Sequence, residues 1–555
     1  MTNIDYVKVF ESSSAFPRPS SFCPSYGTAG FRADASLLLS TLFRCGLLVA
    51  ARSLLLGKSC GLMITASHNQ VSDNGVKLIE PDGSMLPQDW EPAATALAQC
   101  STDQEVVDSL RSILTTGVSA STLNTPSCEG ILSVLFGYDN RPSAPDLLKA
   151  AVAGVAALGV QHQDVGFVTT PMMHFVVHQW NSPCRPASTH EAQETYFETL
   201  IGAFEQLVEG LPRPPDGGQL LIDCANGVGA HHLVKVQQRL WSAGLQMVLF
   251  NTGDGQLNME CGADHVQKER VAPTGFPELK PYSRCCSVDG DADRLVYFTV
   301  AGSTSEGTTM LLLDGDKIAS LTAAFIKDLL KQLPDSVGSD IKVGVIQTAY
   351  ANGASTSYVK EQLLLSVECT PTGVKYLHQA AHSYDVGVYW EANGHGTVLF
   401  SAELLRRLEK AERVCSAAKD LLLLSKVINQ TVGDAFSGIL LVEAVLRRKA
   451  WSLSQWDGLY QDMPSRQIKL KVADRALITV EDAERKCVTP AGLQKDIDAL
   501  ISEYPAGSRA FVRPSGTEDA VRVYSEAPTQ EQANDLACRV GKAVYLQAGG
   551  VGPMP

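Results

Sequence analysis

Three aspartates separated by single residues form the clearest chemical signal in the chain. Asp289, Asp291 and Asp293 follow a short, mostly apolar segment at residues 285–288. In an extended segment, this spacing would place all three carboxylates on the same side of the backbone. Crowded carboxylates repel one another unless a hard cation lies among them, and oxygen ligands suit Mg²⁺. The spacing therefore predicts a magnesium site, with an acidic turn that only caps a helix as the alternative.

Ser67 follows a second short apolar segment, at residues 62–64, and begins a polar loop. A serine in this position is often a helix cap, but it could also carry a phosphoryl group. Phosphoryl transfer through serine needs a metal, donors that hold the phosphoryl group and a nearby proton acceptor. A phosphoserine carries about −1.5 to −2 charges, so a Mg²⁺ held by the three aspartates is a suitable partner. His68, Lys77 and Arg294 are the nearest candidates for proton transfer or charge stabilisation.

Two further segments combine arginine with glycine in a way that suits an anion. Arg32 lies near Gly27 and Gly30, where the backbone could approach an anion closely. Near the end of the chain, one segment combines a bidentate cation, two hydroxyls and a glycine backbone, which fits a phosphate dianion. This segment consists of Arg513, Pro514, Ser515, Gly516 and Thr517. Arg522 could add a second cation, and a surface turn with an unpaired arginine is the alternative.

A fourth loop carries groups that could bind a sugar. Glu391 and Asn393 flank Ala392, so their side chains can point to the same side. There they could accept hydrogen bonds from sugar hydroxyls and donate one to an amide. An ordinary polar turn has the same composition, so this loop indicates sugar binding only in the context of the others.

Four loops each follow a short apolar segment that predicts a buried strand: the serine loop, the aspartate loop, the sugar loop and the loop that begins at Arg513. The predicted strands lie at residues 62–64, 285–288, 386–390 and 510–512. A predicted helix at 37–56 and a predicted strand at 166–168 belong to the alternation of strands and helices that is typical of α/β domains. Open α/β sheets bind ligands outside the carboxyl ends of their strands, so the four loops could converge on one cleft.

The chain is long enough for several domains, and each loop falls in a different one. The first three domains are predicted to be α/β, and the last is predicted to be a smaller α+β domain. The predicted domains are 1–185 with the serine loop, 186–300 with the metal loop, 301–458 with the sugar loop and 459–555 with the phosphate loop.

Composition narrows the setting in which this chemistry takes place. The chain has 555 residues, of which 45% are hydrophobic and 19% charged, as in an ordinary soluble protein. Its net charge of −14 argues against nucleic acid as a partner. The fourteen cysteines are scattered without metal-binding spacing, which is typical of a reducing, cytoplasmic protein. The N-terminus has no signal pattern and no apolar run is expected to be long enough to span a bilayer, so we expect no membrane partner.

Taken together, the four loops resemble the motifs of the α-D-phosphohexomutases. The matching segments are residues 65–69, 289–294, 391–396 and 513–517, which occur in this order along nearly the whole chain. Within that family, the chain is similar to the branch that acts on N-acetylglucosamine phosphates. The serine loop precedes the loop at 137–142, and Asn393 stands where the other branches have serine. The amide of Asn393 could bind an N-acetyl group.

The resemblance implies a fold of three similar α/β domains with mixed sheets around a central cleft, plus a smaller α+β C-terminal domain. It also implies a reaction in which phospho-Ser67 donates its phosphoryl group to N-acetylglucosamine 6-phosphate. The resulting 1,6-bisphosphate, which also serves as primer, would reorient and return the other phosphoryl group to Ser67. N-acetylglucosamine 1-phosphate would remain for the synthesis of UDP-N-acetylglucosamine.

The resemblance further implies a role for each group of residues. Mg²⁺ would be bound by Asp289, Asp291, Asp293 and the Ser67 phosphate, with His68, Lys77 and Arg32 as further catalytic residues. The non-reacting phosphate would be held by residues 513–517 and Arg522, and the sugar by residues 391–393. Three alternatives stay open: a phosphoglucomutase or phosphomannomutase, a non-catalytic sugar-phosphate sensor, and a metal-dependent phosphatase.

Overall fold

The computed structural model describes residues 4–27, 29–116, 132–214, 218–301, 310–515 and 519–555. The chain forms two compact units. The first contains residues 1–314 and 423–450, and the second contains residues 315–422 and 451–555. The boundary between residues 422 and 423 falls within one helix, Ser416–Val427.

The first unit contains two mixed sheets. Its strands are β1 (Phe31–Asp34), β2 (Gly61–Ile64), β3 (Asp73–Ile79), β4 (Ser133–Tyr138), β5 (Gln161–Phe167), β6 (Gln219–Asp223), β7 (Gln246–Phe250), β8 (Cys285–Val288), β9 (Leu295–Val300) and β10 (Met310–Leu313). The strand orders are β1-β3-β2-β4-β5 and β10-β9-β8-β6-β7. In each sheet three strands are parallel, and two antiparallel strands complete one side.

The second unit contains a third mixed sheet and a smaller antiparallel one. Its strands are β11 (Val343–Thr348), β12 (Ser366–Thr370), β13 (Val386–Trp390), β14 (Gly396–Phe400), β15 (Ser465–Lys471), β16 (Thr479–Glu481), β17 (Lys486–Thr489), β18 (Arg509–Pro514) and β19 (Ala520–Glu526). The mixed sheet has the order β12-β11-β13-β14, the antiparallel sheet has the order β15-β19-β18, and β16 and β17 form a hairpin.

Helices cover the sheets in both units. They are α1 (Tyr6–Ser13), α2 (Leu39–Leu56), α3 (Glu91–Gln99), α4 (Asp103–Thr116), α5 (Ala144–Ala157), α6 (Thr170–Trp180), α7 (Thr189–Val208), α8 (Val228–Ser242), α9 (Ala263–Glu269), α10 (Gly315–Leu330), α11 (Asp335–Gly338), α12 (Gly353–Ser357), α13 (Val374–Ala381), α14 (Ala402–Ala411), α15 (Ser416–Val427), α16 (Ala435–Lys449), α17 (Leu453–Asp457), α18 (Leu493–Ile501) and α19 (Gln530–Gln547). The three mixed α/β sheets and the smaller α+β part confirm the predicted fold class.

The four predicted loops share one topological position. Each connects a strand to its antiparallel neighbour: β2 to β3, β8 to β9, β13 to β14, and β18 to β19. In the three pairs that belong to mixed sheets, the first strand (β2, β8 or β13) is buried at every residue. Strands covered on both faces are apolar throughout, which explains why the sequence marks them as short apolar segments.

Two elements differ from the sequence-based expectation. Strand β5 begins five residues earlier than the predicted start at 166, because it is an edge strand whose first four residues are exposed and polar. Helix α2 begins at Leu39 rather than at residue 37, since residues 35–37 form a 3₁₀ turn capped by the Asp34 carboxylate.

The expectation that no apolar run could span a bilayer was wrong for helix α2. This helix has 18 residues and is apolar enough, by length and composition, to cross a membrane. In the structure 72% of it is buried, and it packs against α5 within the core of the first unit. Burial in a protein core selects the same apolar side chains as burial in lipid, so packing within the fold explains the apolar composition of α2.

Candidate active site

Ser67 lies in a strained conformation at the start of the loop after β2. Its φ is 52°, in the left-handed region that non-glycine residues rarely adopt, and the residue is 2% exposed. That conformation costs roughly 1–2 kcal/mol and persists only where the surroundings enforce it. The Ser67 Oγ donates a hydrogen bond of 2.7 Å to Asp289 Oδ2. The loop thus presents the hydroxyl of Ser67 directly to the aspartate cluster.

Arg141 holds the backbone of this loop. Its fully buried guanidinium donates from Nη2 to the carbonyls of Ser67 and Asn69, at 3.0 and 2.9 Å, and from Nη1 to those of Gln70 and Asp73. Nε pairs with Asp139 Oδ2 at 3.1 Å. Buried carbonyls outside a sheet need such donors. Sequence reasoning did not single out Arg141, although an aspartate two residues before an arginine, shortly after an apolar strand, is a usable signal.

A second side chain, that of Asn258, supports two of the same carbonyls. Asn258 Nδ2 donates to the carbonyls of Ser67 and Asn69, at 2.8 and 2.9 Å. Two donors from separate parts of the chain therefore converge on the same two carbonyls. This double support explains how the left-handed conformation of Ser67 is maintained.

The three aspartates come together, but not in the way expected from their spacing. The segment is a tight turn and not extended: Ala292 has a φ of 56°, and its N–H donates to the Asp289 carbonyl at 3.0 Å. One oxygen of each carboxylate lies within 4.8 Å of the others. Burial, followed by repulsion from Asp293 and Asp291, raises the pKa of Asp289 well above its usual value. The expected convergence is present, while the extended geometry proposed for it was wrong.

The cluster fits a hard divalent cation. All three aspartates are buried, and among the described residues Asp291 Oδ1 has no hydrogen-bond partner. A buried carboxylate oxygen without a donor is unfavourable unless a cation or water meets it. Oxygen ligands at this spacing, together with the Ser67 side chain, match the preference of Mg²⁺.

Lys77, in β3, neutralises part of the cluster. Its Nζ lies 2.8 Å from Asp291 Oδ2 and 2.7 Å from Asp293 Oδ2. Burial opposes the charge of this lysine, but the two carboxylates outweigh burial and raise its pKa. Thr170, at the start of α6, donates from its Oγ1 to Asp291 Oδ2 at 2.6 Å. Lys77 is therefore placed as a fixed cation beside the aspartates.

The other three predicted cationic or proton-transferring residues surround the serine loop. Burial, followed by Arg294, lowers the pKa of His68 to about 2, so its imidazole is neutral at physiological pH. Arg32 is exposed, and its Nη1 donates to Asn69 Oδ1 at 2.9 Å. Arg294 pairs with Asp264 at 2.7 Å, and its Nε lies 3.8 Å from Asp289 Oδ2. The structure thus brings His68, Arg32 and Arg294 close to the loop of Ser67.

Gly290 allows the metal loop to approach the serine loop closely. A Cβ at this position would lie 2.7 Å from the Ser67 carbonyl oxygen and 2.9 Å from Asn258 Nδ2. Both atoms belong to the contact that holds Ser67 in place. Only glycine is compatible with this approach.

We therefore expect Gly290→Ala to lower kcat by about 10- to 100-fold, because the added Cβ displaces Ser67 from the aspartates. Steady-state kinetics and a thermal unfolding curve measure the effect. Gly202→Ala is a matched control, since a Cβ at this helical position meets only Arg239 Nη2, at 3.9 Å. Unchanged kinetics in Gly290→Ala would contradict the proposed approach of the two loops.

The predicted sugar loop lies in the second unit. Asn393 Nδ2 donates to Glu391 Oε2 at 3.4 Å, so the two side chains lie side by side as expected. Asn393 Oδ1 accepts the backbone N–H of His395 at 3.0 Å, and the carbonyl of Ala392 accepts the N–H of Gly315 at 3.5 Å. The oxygen of the Asn393 amide therefore holds the loop, and its nitrogen is the group that can donate to a ligand.

The predicted phosphate site lies on the antiparallel sheet of the second unit. Arg513 in β18 is directly opposite Arg522 in β19, which in turn is opposite Lys469 in β15. Opposite residues of antiparallel strands share one face, and like charges placed there repel. A row of three cations across a sheet favours an anion on that face. Lys469 was not among the predicted site residues, and the only signal for it was its alternation with apolar residues in the strand.

The rest of this loop is described in part. Pro514 pairs with Val521 at the end of the ladder, and the N–H of Ser515 donates to the carbonyl of Ala520 at 2.8 Å. Ser515 is 6% exposed. Gly516 and Thr517, which we predicted as phosphate ligands, lie outside the described residues.

Family models match four parts of the chain. Residues 186–296 and 314–451 match the models of phosphoacetylglucosamine mutase AMG1 domains II and III. Residues 47–105 and 110–185 match the phosphoglucomutase/phosphomannomutase α/β/α domain I, and residues 468–543 match the C-terminal domain of the same group. The predicted domain boundaries remain a prediction.

Curated and solved relatives are similar over nearly the full length. A phosphoacetylglucosamine mutase of Arabidopsis thaliana is 45% identical, over 98% of this chain and 99% of its own length. An Aspergillus fumigatus N-acetylphosphoglucosamine mutase, crystallised with GlcNAc-6P and magnesium, is 41% identical with a TM-score of 0.87 over 98% of this chain and 99% of its own. A serine-to-alanine variant of the Aspergillus protein, crystallised with glucose 1,6-bisphosphate, is 39% identical with a TM-score of 0.87 over 99% of this chain and 100% of its own.

Proposed function

The chain belongs to the phosphoacetylglucosamine mutase family of phosphohexomutases, and on this premise we propose that it interconverts N-acetylglucosamine 6-phosphate and N-acetylglucosamine 1-phosphate. The observation that carries the chemistry is the placement of Ser67, whose hydroxyl lies 2.7 Å from an aspartate of a buried cluster of three. Relatives crystallised with GlcNAc-6P, magnesium or glucose 1,6-bisphosphate support the choice of substrate and cofactor. The product is a sugar 1-phosphate of the kind used to make UDP-N-acetylglucosamine.

The reaction consists of two phosphoryl transfers at Ser67. In the first, the free C1 hydroxyl of the substrate loses its proton and forms a bond to phosphorus, while the bond between phosphorus and Ser67 Oγ breaks and that oxygen takes up a proton. The resulting 1,6-bisphosphate reverses its orientation. In the second, Ser67 Oγ attacks the phosphorus on C6 and loses its own proton, and the C6 oxygen leaves as a hydroxyl. The net change is an isomerisation, so a sugar 1,6-bisphosphate is needed only to load Ser67.

Each group of residues has a task in these steps. Bound by Asp289, Asp291, Asp293 and the Ser67 phosphate, Mg²⁺ would neutralise charge on the transferring phosphoryl group. Lys77 keeps the aspartates in place and adds positive charge, and its raised pKa makes it a poor proton acceptor. Arg513, Arg522 and the loop after β18 hold the non-reacting phosphate. Glu391 accepts hydrogen bonds from sugar hydroxyls.

The decisive experiment compares two substrates by phosphorus NMR. The protein is incubated with Mg²⁺, a trace of glucose 1,6-bisphosphate and either N-acetylglucosamine 6-phosphate or glucose 6-phosphate. We expect a sugar 1-phosphate signal, formed faster from the acetylated sugar, and no turnover without the bisphosphate when Ser67 is unphosphorylated. Preference for glucose 6-phosphate would overturn the substrate. Release of inorganic phosphate alone would indicate a phosphatase, and no turnover would indicate a sensor.

Asn393 provides a test of sugar specificity. Its Oδ1 accepts the His395 N–H, and its Nδ2 is the donor that can bind the acetyl carbonyl of the substrate. In Asn393→Ser, the hydroxyl can still accept from His395 but is too short to replace that donor. We expect kcat/KM for N-acetylglucosamine 6-phosphate to fall about tenfold, the effect of one hydrogen bond. Residual turnover of glucose 6-phosphate, which has no acetyl group, is the internal control; an equal fall with both sugars would contradict this role.

We also propose that the protein works in the cytoplasm. All thirteen cysteines that the structure describes are free, which suits a reducing compartment. The net charge of −14 likewise supports the expectation that nucleic acid is not a partner. Fractionation of cells that express a tagged full-length chain tests the location, and recovery in a secreted or membrane fraction would contradict it.

A further inference from the structure

Arg513, the first cation of the proposed phosphate site, already has a carboxylate partner. Its Nε lies 2.9 Å from Glu484 Oε1, and the two side chains are only 17% and 16% exposed. Among the residues that the structure describes, Glu484 is the only carboxylate that forms an ion pair with Arg513. This partner is unexpected, because a carboxylate beside an anion-binding arginine weakens the positive field that attracts the anion.

The backbone that carries Glu484 is unusual. Glu484 lies in the turn between β16 and β17, where Asp482, Ala483 and Glu484 have φ values of 51°, 54° and 68°. Three successive non-glycine residues in the left-handed region form a strained turn. Such strain clusters at functional sites and persists only where other contacts enforce it. The turn therefore gives Glu484 a specific direction that an ordinary hairpin would not.

A second anchor fixes the other oxygen of the same carboxylate. The backbone N–H of Thr372 donates to Glu484 Oε2 at 2.9 Å, and the Thr372 Oγ1 donates to the same oxygen. Glu484 thus uses Oε2 to hold its own position and Oε1 to hold Arg513. The contact with Arg513 involves Nε, one edge of the guanidinium. The two terminal nitrogens, which form the fork that suits a phosphate, are not used by this ion pair.

We propose that Glu484 is a positioning residue that orients Arg513 for the substrate phosphate. It holds the guanidinium at its Nε edge, so the terminal fork is fixed before the phosphate arrives. It also offsets the repulsion between Arg513 and Arg522, which lie opposite each other on the sheet. This inference rests on the proposed function, since it assumes that Arg513 binds the non-reacting phosphate.

Orientation and charge predict opposite effects when Glu484 is neutralised. If Glu484 only weakened the positive field, Glu484→Gln would tighten phosphate binding. If Glu484 orients Arg513, the same change leaves the arginine mobile. Phosphate binding is then weaker, because it must restrict the rotamers of Arg513. The non-reacting phosphate is bound equally in the ground state and the transition state, so the loss falls on KM and not on kcat.

The test is a double-mutant cycle with kinetic readouts. We expect Glu484→Gln to raise KM for N-acetylglucosamine 6-phosphate about tenfold and to change kcat less than about twofold. The inhibition constant of inorganic phosphate should rise in parallel. In an Arg513→Ala background, Glu484→Gln should add nothing, because Glu484 acts through that arginine. Glu481→Gln, an exposed glutamate in β16, is the matched control and should leave all constants unchanged.

Three results would overturn the inference alone: a lower KM in Glu484→Gln, an unchanged KM, or a further loss in the double variant. An unchanged KM in Arg513→Ala would instead overturn the phosphate site of the proposed function, and the inference with it. Thermal unfolding of each variant, compared with the unsubstituted chain, separates local disorder of Arg513 from loss of the fold. A higher KM in Glu484→Gln, together with an unchanged unfolding curve, supports the positioning role.

Discussion

Ser67→Ala should abolish the interconversion of the two sugar phosphates, lowering kcat/KM by about 10⁴-fold or more, as expected when a nucleophile is removed. The hydroxyl is the only group lost, and alanine adopts the left-handed conformation of Ser67 at a similar cost. The donors that hold the loop bind the backbone carbonyl of residue 67, which the substitution keeps. We therefore expect the fold and the affinity for sugar phosphate to persist while turnover disappears.

Phosphorus NMR of the reaction and protein mass spectrometry after incubation with glucose 1,6-bisphosphate measure this effect. The unsubstituted chain should gain one phosphoryl group, and Ser67→Ala should gain none. Ser72→Ala is a matched control, since Ser72 is an exposed serine in the same loop. Turnover in Ser67→Ala that remains within tenfold of the unsubstituted chain would exclude phospho-Ser67 as the intermediate.

Arg141→Met should damage both stability and catalysis. It removes the donors for four backbone carbonyls of the serine loop and leaves the Asp139 carboxylate buried without its cation. Burial already raises the pKa of Asp139, and Arg141 is the main group that opposes this shift. Removing one partner of a buried ion pair costs about 3–5 kcal/mol. Because Ser67 would also lose its fixed position, we expect a loss of about 100-fold in kcat.

Thermal unfolding and steady-state kinetics on the same samples measure the two effects. Arg111→Met, at an exposed position of α4, is the control and should change little. Arg141→Lys separates charge from geometry, since lysine retains the charge beside Asp139 but cannot reach four carbonyls at once. If Arg141→Lys were as active as the unsubstituted chain, the role of Arg141 in shaping the loop would be contradicted.

The sequence by itself was sufficient to find the reactive groups and the fold class. Ser67, the three aspartates and Glu391 follow short apolar strands, and these strands are apolar because the sheets bury them on both faces. Arg513 follows three buried apolar residues of β18. Both signals are local: a few neighbouring residues reveal a buried strand, and the polar residues after it reveal the chemistry of its loop. Local patterns of this kind can be recognised without knowing how the rest of the chain folds.

Only the tertiary structure decided how these groups are oriented. Ser67 meets Asp289, which is 222 positions away, and Arg141 holds the Ser67 carbonyl from 74 positions away. Arg141, Lys469 and Glu484 were not predicted, because nothing near them in sequence indicates which carbonyl, strand or arginine they face. The aspartates converge through a turn and not through the extended segment expected from their spacing. Hydrogen-bond satisfaction and charge balance in a buried site depend on which distant segments pack together, and that is determined by the packing of the whole unit.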